Sequence, residues 1–139
     1  MTQSEIVSYW ISKSREELES ASIMFSMRKY AYTGFMCHQC IEKALKAYFI
    51  FQNDTKQPRE HKLVMLAKTT QLLHQFNEKQ KTTIEKLDPL YTKSRYEDYK
   101  NTIASLLTES YCGTLLQETE ELMTWILASM KSQTDMPIL

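Results

Sequence analysis

The stretch FMCHQCIEKALKAYF, Phe35 to Phe49, decides how the chain folds. It carries a Cys-x-x-Cys with a histidine inside it, so it reads either as a thiol or zinc site or as a helix packed in a core. A redox Cys-x-x-Cys works at a helix N-terminus, where the dipole lowers the thiol pKa. Cys37 and Cys40 stand inside a helix read from about Tyr32 to Phe51, beyond the first turn in which that field acts. A structural zinc needs four ligands, and the one further cysteine is Cys112. Phe35, Met36, Cys40, Ala44, Ala47 and Phe51 recur at helical spacing, with Ile41, Leu45, Tyr48 and Phe49 beside them. A helix apolar over most of its circumference is central in its fold, and free cysteine is among the most buried residue types. The stretch is a core helix first.

Helical periodicity extends outward in both directions. TQSE at Thr2 to Glu5 fits a capping box. Ile6, Trp10, Leu18, Ala21 and Phe25 then lie on one face of a helix ending near Lys29, with KYAYTG as the link. After Phe51, QNDTKQP is a polar loop with a proline stop. A third helix carries Leu63, Leu66, Ala67, Leu73 and Phe76, and a further turn or helix from about Thr83 to Leu90 ends at Asp88-Pro89. YTKSRYEDYK, residues 91–100, is the least regular segment. A last helix fits Thr108 to about Lys131, with Cys112, Leu115, Thr119, Leu122, Ile126 and Met130 in register. The fold class is all-α: an up-and-down bundle of four to five helices, one domain over residues 1–131, with a flexible C-terminal tail, residues 132–139.

Composition excludes several function classes. The 139 residues contain two glycines, Gly34 and Gly113, whereas Rossmann and P-loop phosphate cradles need several. Net charge is zero, so any attraction for nucleic acid must come from a local patch. MTQSEIVSYW lacks a basic region followed by an apolar run, so no signal peptide is expected, and no apolar run suits a membrane span. Three cysteines without a secretory signal suggest reduced thiols and a cytoplasmic location. None of His38, His61 or His74 follows a glutamate by three positions, which removes the di-iron bundle pattern; no metal or other cofactor is expected.

Two constellations remain. Glu42 and Lys46 are spaced for a helical ion pair, and Lys43 lies on a neighbouring part of that face. They read plainly as a solvated stripe on a buried helix, or functionally as amines lining a phosphate-binding cleft. KSRYED, Lys93 to Asp98, combines a Ser-x-x-Glu cap pattern at Ser94 and Glu97 with Arg95 at the first helical position. Arg95 there, flanked by Lys93 and the ring of Tyr96, suits a phosphate or nucleotide. The plain reading is an ordinary cap with Arg95 paired to a surface carboxylate.

The order HQCIEKALKAYF, EHKL, SRYEDY and a final helix ending in EELMTWI resembles the HEPN domain from about Trp10 to Ile126. The resemblance implies a helical bundle, commonly a homodimer with a cleft at its interface. Many members resemble metal-independent RNases carrying Arg-x4–6-His; others accompany small nucleotidyltransferases in toxin–antitoxin-like pairs, or bind nucleotide or RNA without catalysis. Arg95 occupies the position of the family arginine, but Lys100, Asn101 and Thr102 fill the positions where the histidine would stand. Lysine and asparagine move protons poorly near neutral pH. The expected function is therefore a non-catalytic module that binds nucleotide or RNA phosphate in a dimer cleft through Arg95 and Tyr96, helped by Lys43, Lys46 and His61, with a nucleotidyltransferase subunit as partner. The alternatives are an RNase of the same fold using His38 or His61 as proton carrier, and a pure protein-interaction scaffold.

Overall fold

A computed structural model describes residues 1–91 and 105–135, and the side chains through Met130. Five α-helices account for most of these residues: α1 Gln3–Ser26, α2 Tyr30–Asn53, α3 Leu63–Thr69, α4 Glu78–Leu87 and α5 Glu109–Asp135. Short 3-10 turns follow α3 at Leu73–Gln75 and α4 at Asp88–Leu90. No strand occurs among the described residues.

Helix α2 is the centre of the bundle and packs against each of the other four helices. Its sequence explains why. Cys37, Cys40, Ile41, Ala44, Leu45, Ala47, Tyr48 and Ile50 are all buried, so apolar side chains leave it in most directions. Side-chain bonds set the register. Gln3 at the start of α1 donates to the Ile50 and Phe51 carbonyls at the end of α2, at 2.9 and 3.1 Å. Ser14 donates to the Cys40 carbonyl at 2.7 Å near the middle of both. The two helices are therefore antiparallel. Cys112 on α5 points its thiol at the Tyr30 carbonyl, and Cys37 lies beside Thr119, so α5 runs parallel to α2. Ion pairs Lys86–Glu118 at 2.6 Å and Lys79–Glu121 at 3.1 Å set α4 antiparallel to α5. The long helices thus alternate up and down.

The turns depart from the sequence reading. Helix α1 ends at Ser26 rather than near Lys29, and α2 starts two residues before Tyr32. In this turn Arg28 adopts φ 61°, with its N–H on the Phe25 carbonyl and the Lys29 N–H on the Met24 carbonyl. The expected third helix is broken by the same device. Gln71 adopts φ 64°, its N–H bonds Lys68, and the Leu72 N–H bonds Ala67. Both are Schellman stops with a non-glycine residue at the left-handed position. Leu72 is wholly buried, which anchors the second of them. A new helix then starts at an Asn77–Gln80 capping box. The last helix runs to Asp135, past the expected end near Lys131.

The two glycines serve helix contact instead of turns. A Cβ on Gly34 would lie 3.1 Å from Leu90 Cδ1 and 3.4 Å from Leu107 Cδ1. Leu90 and Leu107 are both buried, so the chain is pinned to one point on α2 on either side of residues 92–104.

The left-handed conformation at Arg28 and Gln71 carries a steric penalty that glycine lacks. Arg28→Gly and Gln71→Gly are each expected to raise unfolding free energy by about 0.5–1 kcal/mol. Urea denaturation of both variants checks this; a loss of stability in either contradicts the assignment.

Candidate functional site at Glu42

His38, Glu42 and Lys46 recur every four residues and form one stripe along α2. The stripe faces inward, not toward solvent as its charge suggested. Glu42 is 2% exposed and Lys46 is 6% exposed, so the pair is buried. The loop after α2 brings His61 over this stripe. Within that loop the Glu60 carboxylate accepts from the backbone N–H groups of His61 and Lys62, and Asp88 accepts from the N–H of Leu63 at 2.6 Å. These bonds hold the start of α3 against the turn that follows α4.

Glu42 is where the cluster converges. Lys46 Nζ donates to Glu42 Oε2 at 3.0 Å. His61 Nδ1 lies 3.3 and 3.2 Å from the two carboxylate oxygens. A carboxylate only accepts, so His61 carries its proton on Nδ1. Its Nε2 makes no hydrogen bond among the described residues, and the side chain is 56% exposed. The result is an imidazole oriented by a buried carboxylate with one lone pair turned out for chemistry or binding.

His38 is fixed differently. It is wholly buried, with Nε2 3.1 Å from the His61 carbonyl and Nδ1 3.2 Å from Gln39 Oε1. A carbonyl also only accepts, so His38 carries its proton on Nε2, and the Gln39 amide, turned about its last bond, puts its NH2 rather than its oxygen on the Nδ1 lone pair. Burial pushes its pKa below the ordinary value, against the opposing pull of Glu42. Tyr91 stacks on both imidazoles, with ring centroids 5.2 Å from His38 and 5.8 Å from His61 and interplanar angles of 22° and 19°. A cavity of about 340 Å³ lined by Lys62, Asp88, Pro89 and Tyr91 lies alongside.

The HEPN domain family model matches residues 7–130. The chain belongs to the HEPN domain family. Two solved structures share its fold. One, described as ST0689, an archaeal HEPN homologue, superposes with a TM-score of 0.69 at 25% identity, covering 89% of this chain and 97% of that one. The other, TT1696 from Thermus thermophilus, has a TM-score of 0.63 at 15% identity, covering 88% of this chain and 96% of that one. No curated protein matches the chain.

Within this HEPN domain the residues singled out from sequence separate. His61 and Lys46 meet on Glu42. Lys43 stands apart, its amine 5.9 Å from the Trp10 ring centroid; the Lys46 amine is 6.0 Å from the same ring. Lys46 is therefore bonded inside the protein and does not stand as an open amine. Arg95, Tyr96 and Lys93 lie outside the described residues. His38, offered as a proton carrier, has both ring nitrogens against protein groups, which leaves His61 as the one of these two imidazoles that reaches solvent. Sequence reasoning missed Tyr91 and the role of Glu42 as the hub. The four-residue spacing of His38, Glu42 and Lys46 was the available signal.

The thiols take no part. Cys37 and Cys40 are wholly buried, and burial raises both pKa values to about 12, so both stay protonated. Among the described residues no cluster of His, Cys, Asp or Glu suits a metal ion, and no helix is long and apolar enough to cross a membrane.

Removing the hub leaves Lys46 buried and unpaired. Glu42→Ala is expected to lose about 3–5 kcal/mol of stability, against less than about 1 kcal/mol for Lys43→Ala, which loses a contact with Trp10 and a solvent-screened attraction to Glu17. Denaturant titration distinguishes them, and comparable losses contradict the burial argument. His38 supplies a pH signature. Its native pKa lies below its ordinary 6.5, so the unfolded chain takes up a proton first on acidification. Stability is then complete above about pH 6.5 and falls below it, by at most about 1.4 kcal/mol per pH unit. His38→Gln keeps a donor for the His61 carbonyl and is expected to flatten that slope between pH 5 and 6.5.

Proposed function

We propose that this HEPN domain is a non-catalytic module that binds nucleotide or RNA phosphate in a cleft between two copies of the chain. Arg95 supplies the main cation and Tyr96 a stacking ring, with His61 beside them and Lys43 as a further cation of the cleft; Lys46 acts through Glu42. A small nucleotidyltransferase subunit is its companion, in a toxin–antitoxin-like pair. The observation that carries the reading is the stack of Tyr91 on His61. Tyr91 is the point from which the chain continues to Arg95, four residues on. Four residues of chain reach at most about 14 Å when fully extended. On that connectivity we read Arg95 and the exposed His61 as parts of one site, in a chain whose zero net charge makes any affinity for polyanions local.

Fluorescence anisotropy with a single-stranded oligoribonucleotide and with ATP tests the reading. Arg95→Ala is expected to weaken binding at least tenfold and to reduce the salt slope by about one. Equal binding by variant and wild type, or no binding by either, overturns it.

One observation favours a second reading, a metal-independent RNase of the same fold. The Glu42 carboxylate presents the His61 Nε2 lone pair outward, as a general base requires. RNA incubated with the purified protein in EDTA decides it. Cleavage abolished by His61→Ala supports this reading, whereas absence of cleavage, or cleavage that survives the substitution, removes it.

A further inference from the structure

A second cavity lies on another part of the fold, between α3 and α4. It is an open cleft of about 560 Å³, lined by Val64, Lys68 and Gln71 from α3 and its stop, by Leu73 and His74 from the 3-10 turn, and by Lys81, Ile84 and Glu85 from α4. None of these residues belongs to the Glu42 cluster. The volume falls within the range of small-molecule sites, about 300–1,000 Å³.

The local fold keeps this space open. Val64 and Lys68 are one turn apart on α3, and Ile84 and Lys81 nearly one turn apart on α4, so each helix offers one apolar and one cationic side chain to it. The Schellman stop at Gln71 turns the chain away from the α3 axis and sets Leu73 and His74 across the end. Ile84 is 1% exposed and Val64 and Leu73 are half-buried, so the floor is apolar. Lys68 forms no ion pair among the described residues. Lys81 meets only Glu78, at 3.6 Å, and that glutamate is 93% exposed, so the pair is weak. With Glu85 at the mouth and Glu78 on Lys81, Lys68 is the lining cation that has no ion pair among the described residues.

An apolar floor beneath a cationic mouth is complementary to a small molecule with an apolar body and a single negative end. We propose that the α3–α4 cavity binds an apolar monocarboxylate, with its chain or ring on Val64, Leu73 and Ile84 and its carboxylate at Lys68 and Lys81. The site is independent of phosphate binding near His61.

Octanoate serves as the probe, and octylammonium, of similar size and opposite charge, as the control. Titrated into the 15N-labelled full chain, octanoate is expected to shift the amides of Val64, Lys68, Gln71, Leu73 and Ile84 saturably. Octylammonium is expected to leave them in place. Lys68→Glu/Lys81→Glu changes two side chains at the mouth, and is expected to weaken octanoate at least tenfold while the spectrum stays folded. Saturable octanoate shifts confined to these amides and lost in the double variant establish the site. No saturable shift, shifts spread over other helices, equal response to octylammonium, or unchanged affinity in the double variant would each overturn it.

Discussion

A single buried carboxylate organises this domain. Glu42 lies on the helix that the other four touch, and it is almost wholly removed from water. An unpaired charge there would be strongly unfavourable. Lys46, one turn along the same helix, supplies the opposite charge, and His61 supplies a second donor from the loop before α3. The loop therefore closes over α2 at a defined place, because only there are the carboxylate's acceptors met. His61 in turn offers its carbonyl to His38 and its ring to Tyr91. One polar group on the core helix thereby positions the loop, the turn after α4 and the start of the segment that contains Arg95.

Much of the fold was legible from apolar spacing. The broad apolar surface of Phe35 to Phe49 identified α2 as central, and the stripe from Cys112 to Met130 identified α5, because a long amphipathic helix repeats its signal many times. The turns were not legible. Arg28 and Gln71 stop helices in a conformation that usually announces itself by glycine, while the chain's glycines sit inside helices against Leu90, Leu107 and Phe25. The break at Gln71 is set by burial of Leu72, a tertiary contact that one residue's identity does not reveal.

The site was legible in part. The Glu42–Lys46 spacing was visible, but spacing alone is the same for a solvated pair and a buried one. What separates them is the loop that covers the stripe, and its anchors, Glu60 and Asp88, lie far along the sequence from Glu42. Nothing in the sequence is a reason for His61 to be oriented, and Tyr91, a tyrosine in an irregular segment, carries no periodic signal. The Cys-x-x-Cys, conspicuous as a motif, is two small buried side chains on the face toward α1 and α5.

The arrangement makes opposite demands on two imidazoles that share one tyrosine ring. His61 must hold its proton on Nδ1, facing Glu42, and His38 on Nε2, facing the His61 carbonyl. Long-range 15N–1H correlation spectra of the histidine rings, recorded at a pH where both are neutral, read these tautomers directly. The account predicts an Nδ1–H tautomer for His61 and an Nε2–H tautomer for His38. An Nε2–H tautomer at His61, or signals averaged as in a free imidazole, would contradict the claim that Glu42 holds the site together.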